Sequence, residues 1–340
     1  MTNNLKFYLG MDVSKGWVDI SLLRVIDHQK QPMLSERFDN DSAGIKAMDK
    51  WLKKQKVIFN ENSLMVIENT GVYHRRVWEY CSANKLPLYI GNAVHIKRSF
   101  GLVRGKNDKI DSQRLCNYAH KNADDLKASP VLDPVFMQLK DLMTSRSRLL
   151  DQINSIKVYL GELKLSNSKE IQKVLEVAHQ AAIDGLKVSL KMVEKQIVQI
   201  IRENTAIRKN YDLLVSIPAI GHLTAVYLIC CTCNFTNKTT GKQLASYGGM
   251  VPFGNSSGSS IKGRDKVSHM ANKDLKKLFT MCALTAIRVS PEFRNYYDRK
   301  VSEGKHEQTV LNAIKSKLAL RAVAVINKQE SYVDNYKKTA

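Results

Sequence analysis

From Met137 to Asn204 the chain contains no proline, and glycine occurs only at Gly161 and Gly185. Proline costs a helix a hydrogen bond and a steric clash, and glycine costs it backbone entropy, so a stretch this long without breakers has one natural conformation. Within it Leu186, Leu190, Val193, Ile197, Ile200 and Ile201 recur at three- and four-residue spacing. That is the apolar stripe of a helical hairpin or coiled coil, packing either on its own domain or between subunits. A segment of this kind divides the chain. The parts on either side must build their own cores, which gives an expected division into residues 1–130, 131–208 and 209–330.

The first part alternates two periodicities. "LKFYLGMDVS", "WVDISLLRVI" and "MLSERFDN" read as three successive strands. "SAGIKAMDKWLKKQ" then places Ile45, Met48, Trp51 and Leu52 on one helical face. "SLMVIENTG" is a short buried strand, "YHRRVWEYCSANK" a helix and "LPLYIGN" a further strand. The pattern predicts an α/β domain, a mixed sheet with helices packed on it. The third part carries a glycine- and serine-rich zone from Gly241 to Gly263 and then reads as helical from about Asn272 to Asn327.

Four carboxylates break the apolar logic. Asp12 and Glu68 each end a strand-like run, where burial of a charge costs several kcal/mol unless it is paired or binds a cation. Asp108 and Asp111, in "GKNDKIDSQRL", are three apart and share one face of a helix. Singly, each acid reads as a turn or helix cap. Together they are hard oxygen donors suited to Mg²⁺, which completes its shell with water and phosphate. The partner follows from charge. With 53 Lys and Arg against 32 Asp and Glu, the chain carries a net +21, the balance of a protein that binds a polyanion, nucleic acid first. Metal-assisted phosphodiester chemistry is the reaction class that unites the two observations. No apolar run reaches the roughly 20 residues of a membrane span, and no secretion signal is visible. The six cysteines form no disulfide framework or zinc-ligand spacing, so a cytoplasmic location is expected.

"YLGMDVSK", "VIENTGVYH" and "VRGKNDKIDS" resemble the Asp–Glu–Asp–Asp signature of the Piv-invertase-like insertion-sequence transposases. The resemblance runs in order from about Tyr8 to Ala324. It implies an RNase H-like (RuvC-like) N-terminal domain and a helical, coiled-coil middle. A mostly α C-terminal domain with a helix–hairpin–helix motif completes the implied fold. It also implies Asp12, Glu68, Asp108 and Asp111 as catalytic metal ligands.

Two further motifs belong to the same resemblance. "SIPAIGHLTA" looks like a helix–hairpin–helix turn. Pro218 ends one helix and Gly221 is expected to permit the tight turn. The second helix, with Thr224 in its first turn, offers backbone N–H groups to a phosphate. "YGGMVPFGNSSGSSIKGRDK" resembles the segment in which the family places a nucleophilic serine before a glycine and a basic strand. Carried over residue by residue, the nucleophile is Ser257, with Ser256, Ser259 and Ser260 as alternatives, and Lys262, Arg264 and Lys266 positioned for phosphate. The resemblance implies a DNA recombinase acting through a covalent phosphoserine link. It further implies guidance by a structured noncoding RNA, and a homo-oligomer, dimer or tetramer, whose subunits can share an active site. Three other readings compete. A RuvC-like nuclease would need the acids and not the serine. A site-specific invertase would use the same parts, and a non-catalytic nucleic-acid-binding protein would need neither.

Overall fold

The computed structural model describes residues 5–58, 60–101, 108–131, 133–165, 168–236, 238–257 and 261–334, with backbone alone for 108, 109, 255–257, 261, 262 and 264. The chain forms two compact units, 1–132 and 133–340.

The first unit runs β1 (Leu5–Val13), β2 (Trp17–Ile26), β3 (Gln29–Lys30), β4 (Leu34–Asp39), α1 (Ser42–Lys54), β5 (Ser63–Glu68), α2 (Arg75–Ala83), β6 (Leu88–Gly91), α3 (Ala93–Ser99) and α4 (Asp108–Lys121). It is the mixed α/β domain expected. β2 lies antiparallel to β1, and β4 and β3 pair with the outer edge of β2. On the other side β5 and β6 add parallel to β1, each reached through a helical crossover.

β1 is buried on both faces, and its alternation assigns each residue to a side. Phe7, Leu9, Met11 and Val13 join Met48 and Leu52 of α1 and Val77 and Cys81 of α2 in one core. Tyr8 joins Val66, Ile96 and the α4 residues Leu115, Cys116 and Ala119 in another. α3, which no periodicity announced, supplies Ile96 to this second face. Asp41 caps α1 by accepting from Gly44 N at 2.7 Å.

The second unit starts with α5 (Pro134–Leu163) and α6 (Lys169–Glu203), a hairpin of 30- and 35-residue helices. The breaker-free run becomes these two helices. α7 (Thr205–Val215), α8 (His222–Cys231), α9 (Gly241–Tyr247), the antiparallel hairpin β7 (Pro252–Ser257) and β8 (Ile261–Val267), α10 (Lys273–Val289), α11 (Pro291–Ser302) and α12 (Glu307–Lys328) follow. Leu139, Ile197, Ile200 and Ile201 at the base of the long hairpin enter one core with α7, α8, α10 and α12. Farther along, Ile153 and Ile183 are buried between the two helices, and Arg146 reaches Glu194 at 2.8 Å across them.

Candidate active site

The acids are placed by strand register. β1 and β5 are parallel, with Gly10 beside Val66 and Met11 beside Ile67. One residue further along each strand stand Asp12 and Glu68, at the same end of neighbouring strands. In-register neighbours project to the same face, about 4.8 Å apart between strands. That face is the α4 face, because Tyr8, four residues before Asp12, and Val66, two before Glu68, belong to the core beneath α4.

α4 brings the other two acids. Cys116 Sγ reaches Tyr8 O at 3.1 Å, and Ser112 Oγ shares a hydrogen bond of 2.8 Å with Ser21 Oγ, the cross-strand partner of Gly10. The helix therefore runs antiparallel to β1. Ser112 stands at the level of Gly10, and the turn before it, beginning at Asp108, lies toward Asp12. Gly10 makes this approach possible. A methyl there would stand 2.6 Å from Leu115 C and nearer still to Cys116 N and Ser112 O. Asp111, in the same turn, accepts from Arg114 at 2.7 Å. The amino end of α4 thus faces the carboxylate edge, with its peptide dipoles favouring negative charge there.

One charged residue at this edge has no signal in the sequence. Asp19 pairs directly with Asp12 across β1 and β2 and is only 5% exposed. Arg37 of β4 holds it with two bonds, Nε to Oδ1 at 2.9 Å and Nη2 to Oδ2 at 2.8 Å. The guanidinium also lies over the Trp17 ring at 4.9 Å. A row therefore crosses the sheet: Arg37, Asp19, Asp12, Glu68. The neighbouring loops are fixed as well. Asn40 Nδ2 donates to Ser14 O and Tyr73 O, at 2.8 and 2.9 Å, tying the β1–β2 turn to the loop after Glu68. His74 Nδ1 accepts from Thr70 N within that loop. Among the described side chains, which leave out Asp108, no three His, Cys, Asp or Glu gather as a metal-binding group.

In the second unit, α7 and α8 are joined by a tight turn in which Ile220 N donates to Ile217 O at 3.0 Å. Pro218 takes the second position, where its fixed φ is favourable. The left-handed residue is Ala219, at φ +73°, and Gly221 is extended at φ −85° and ψ 174°. The expectation that Gly221 makes the turn is corrected: the turn closes one residue earlier, and Gly221 is the N-cap of α8. Thr224 is also corrected. It is 5% exposed with its hydroxyl 3.3 Å from Cys282 Sγ, so it faces the core and not a ligand. At the start of α8, His222 Nδ1 is 2.9 Å from Tyr211 OH. Burial, opposed by Glu194 and reinforced by Arg146, holds its pKa below the usual histidine value. The two rings border a cavity of 510 Å³ with Arg202 and Arg208 at its wall.

Ser257 is the last residue of β7 and pairs with Ile261, and Ser256 pairs with Lys262. Ser259 and Ser260, with Gly258, lie outside the described residues. Lys262, Arg264 and Lys266 are on β8, with Lys266 opposite Phe253. The serine-rich stretch is thus largely strand. A shift in register between Phe253 and Asn255 bends it.

Residues 9–163 match a DEDD transposase family model of IS110 type, and residues 211–298 match the transposase IS116/IS110/IS902 family. Between them the two take in most of the chain. Over 336 residues the chain is 25% identical to the pilin gene-inverting protein of Moraxella bovis, covering 96% of this chain and 98% of that one. It is 33% identical over 109 residues to an uncharacterized 43.6 kDa protein of insertion element IS110 from Streptomyces coelicolor, covering 32% and 27%.

Proposed function

The chain is a DNA transposase of the IS110/IS116/IS902 type, and from that premise we propose that it cuts and rejoins DNA through a carboxylate-held divalent metal and a covalent link to Ser257. The observation that carries the reading is that Asp12 and Glu68 each stand one residue beyond the last paired positions of adjacent parallel strands, toward the amino end of α4.

The donor set fits Mg²⁺: four hard carboxylates and nothing softer. Asp12 and Glu68 would hold it from the sheet, and Asp108 and Asp111 from the helix. When bound, such a cation withdraws charge from a scissile phosphate. Arg37 keeps Asp19 neutralised beside Asp12, so the edge carries less uncompensated negative charge. The pinned loops hold the acids in one geometry before substrate arrives. The Ser257 oxygen attacks phosphorus, forming one P–O ester as the strand's own P–O bond breaks, and the hydroxyl proton passes to the departing oxygen. The ester count is unchanged, so a second DNA hydroxyl can reverse the step without ATP. Lys262, Arg264 and Lys266, on the strand paired with β7, would hold the transferring phosphate. The Pro218 turn and the start of α8 would hold duplex backbone.

Three finer elements belong to this proposal. A structured guide RNA would match the +21 charge of the chain. A homo-oligomer is supported by apolar side chains left exposed along α6, among them Val174 at 67% and Val177 at 75%. DNA inversion is the second reading, favoured by the pilin gene-inverting relative that spans nearly the whole chain.

The test is denaturing electrophoresis of the protein after incubation with element-junction DNA, the RNA transcribed beside the gene and Mg²⁺. A protein–DNA adduct should form with the natural chain and be lost in Ser257→Ala and in Asp12→Asn. Cleavage that persists in Ser257→Ala with no adduct would replace this mechanism with hydrolysis by water.

A further inference from the structure

The base of the β7–β8 hairpin carries exposed aromatic rings where a protein surface would ordinarily hide them. Tyr247, at the end of α9, is 51% exposed, and Phe253, on β7, is 49% exposed. The segment 266–272 connects them. Lys266 pairs across the hairpin with Phe253, and Asn272 N donates to Tyr247 O at 2.8 Å.

The Tyr247 ring is fixed in place although half of it meets solvent. Its hydroxyl accepts from Asn272 Nδ2 at 3.0 Å. Asn272 is itself immobilised, since its Oδ1 caps α10 through Leu275 N at 2.9 Å and accepts from Tyr227 OH at 2.9 Å. Burial pushes the Tyr227 hydroxyl up to about 12, so it remains a donor across the physiological range. A ring clamped at its hydroxyl and bare on its surface has prepaid the entropy of being stacked upon.

The charge around it is complementary to one class of ligand. Residues 262–277 contain six Lys or Arg against Asp265 and Asp274. Lys266, opposite Phe253, and Lys273 and Lys277, in α10 just after Asn272, are exposed, and Asp274 is 3.7 Å from Lys277. Fixed aromatic faces set among cations bind unpaired nucleotides, whose bases stack while their phosphates meet the lysines. A paired duplex hides those faces.

We propose that Tyr247 and Phe253 form a stacking platform for unpaired bases of the DNA strand being exchanged. The proposal rests on the chain's being a DNA transposase and is independent of whether Ser257 is the nucleophile. Exchange of strands between duplexes requires bases that have left one partner before joining the next, and this surface would hold them at the foot of the serine hairpin.

The test compares the full chain with Tyr247→Ala, Tyr247→Phe and Phe253→Ala. The probes are a 12-nucleotide oligo-dT carrying one 2-aminopurine, a duplex of matched length, and oligo-rU. Tyr247→Ala and Phe253→Ala should each weaken oligo-dT binding by about 5- to 150-fold, with 2-aminopurine quenching lost and duplex affinity held within about twofold. Tyr247→Phe, which keeps the ring, should lose less than about threefold. Circular dichroism confirms the fold of each variant, and Phe253→Ala, on an exposed strand position, serves should Tyr247→Ala unfold. Equal losses on duplex and single strand, or no loss on either, would overturn the platform alone. Tighter, Tyr247-dependent binding of oligo-rU would overturn its assignment to DNA. A natural chain that binds neither DNA probe would overturn the transposase reading along with it.

Discussion

Replacing Gly10 with alanine should disarm the carboxylate site without touching any carboxylate. The new methyl would lie 2.6 Å from Leu115 C, where ordinary contact begins at 3.4 Å, so α4 must withdraw by about 0.8 Å or more. The obstructing atoms are helix backbone and cannot rotate away. Overpacking of this kind costs about 1–3 kcal/mol, a fall of several degrees in Tm for a domain of this size. The functional loss should be larger in proportion. Ser112 and Cys116 are the contacts that seat α4, and the turn that begins at Asp108 moves with them. A displacement near 1 Å in a catalytic group can cost about 10²-fold in rate. Thermal unfolding with and without Mg²⁺, beside strand cleavage of junction DNA, measures both effects. Gly16→Ala is the control, because a methyl there meets nothing within 4 Å. If Gly10→Ala melts and cleaves like the natural chain, α4 is not seated on β1 as described, and the placement of Asp108 and Asp111 near Asp12 fails with it.

Other substitutions probe other parts. Arg37→Ala should destabilise the first unit by about 1–3 kcal/mol by leaving the Asp19 carboxylate without its two donors. That is less than the ~3–5 kcal/mol of a wholly buried pair because the Arg37 side chain is 51% exposed. Arg37→Lys should not restore it, since an ammonium cannot make the bidentate contact, and urea unfolding reads both. His222 has a folded pKa below its unfolded value, so the unfolded chain binds the extra proton. Stability should therefore be full above about pH 6.5 and fall as pH drops from there toward the lowered folded value. His222→Gln should flatten that slope in urea midpoints taken from pH 5 to 8. Val174→Glu, at an exposed apolar position of α6, should lower the oligomeric state seen by light scattering while leaving helix content unchanged.

The elements of the first unit were legible because β1, β2 and β5 are short, nearly continuous apolar runs and α1 and α2 carry a helical period of burial. Asp12 and Glu68 stood out in the sequence because a charge that ends an apolar run needs a cap, a partner or a cation, and the strand register sets both at one end of neighbouring strands. What escaped was pairing. Nothing local to "WVDISLLRVI" distinguishes Asp19 from a solvent-facing strand residue. Its burial and its partner Arg37 arise from a register spanning 18 residues. The α7–α8 turn misled for a different reason. Glycine is the usual bearer of a positive φ, and here Ala219 bears it, at a cost of roughly 1–2 kcal/mol. Thr224 was misplaced because the first turn of a helix has an inner side as well as an outer one. Of the serine segment, the strand character of residues 252–257 was masked by a composition typical of linkers.

The α5–α6 hairpin has a consequence for how the second unit comes into being. Its two helices are joined by five residues, 164–168, and meet along their length. The hairpin can zip outward from that short turn, each new contact closing only a small further loop, on the microsecond scale of local helical structure. The core at its base is different. There α12 must return to α9 across residues 248–306 and to α7 across residues 216–306. Assembly of this unit is thus expected to be ordered in time, a stalk first and a closed core later. Until α12 arrives, the faces of α7, α9 and α10 on which it packs have yet to be covered. A chain cut short before Glu307 would stop at that stage, helical by circular dichroism, with apolar faces open to dyes that bind such surfaces.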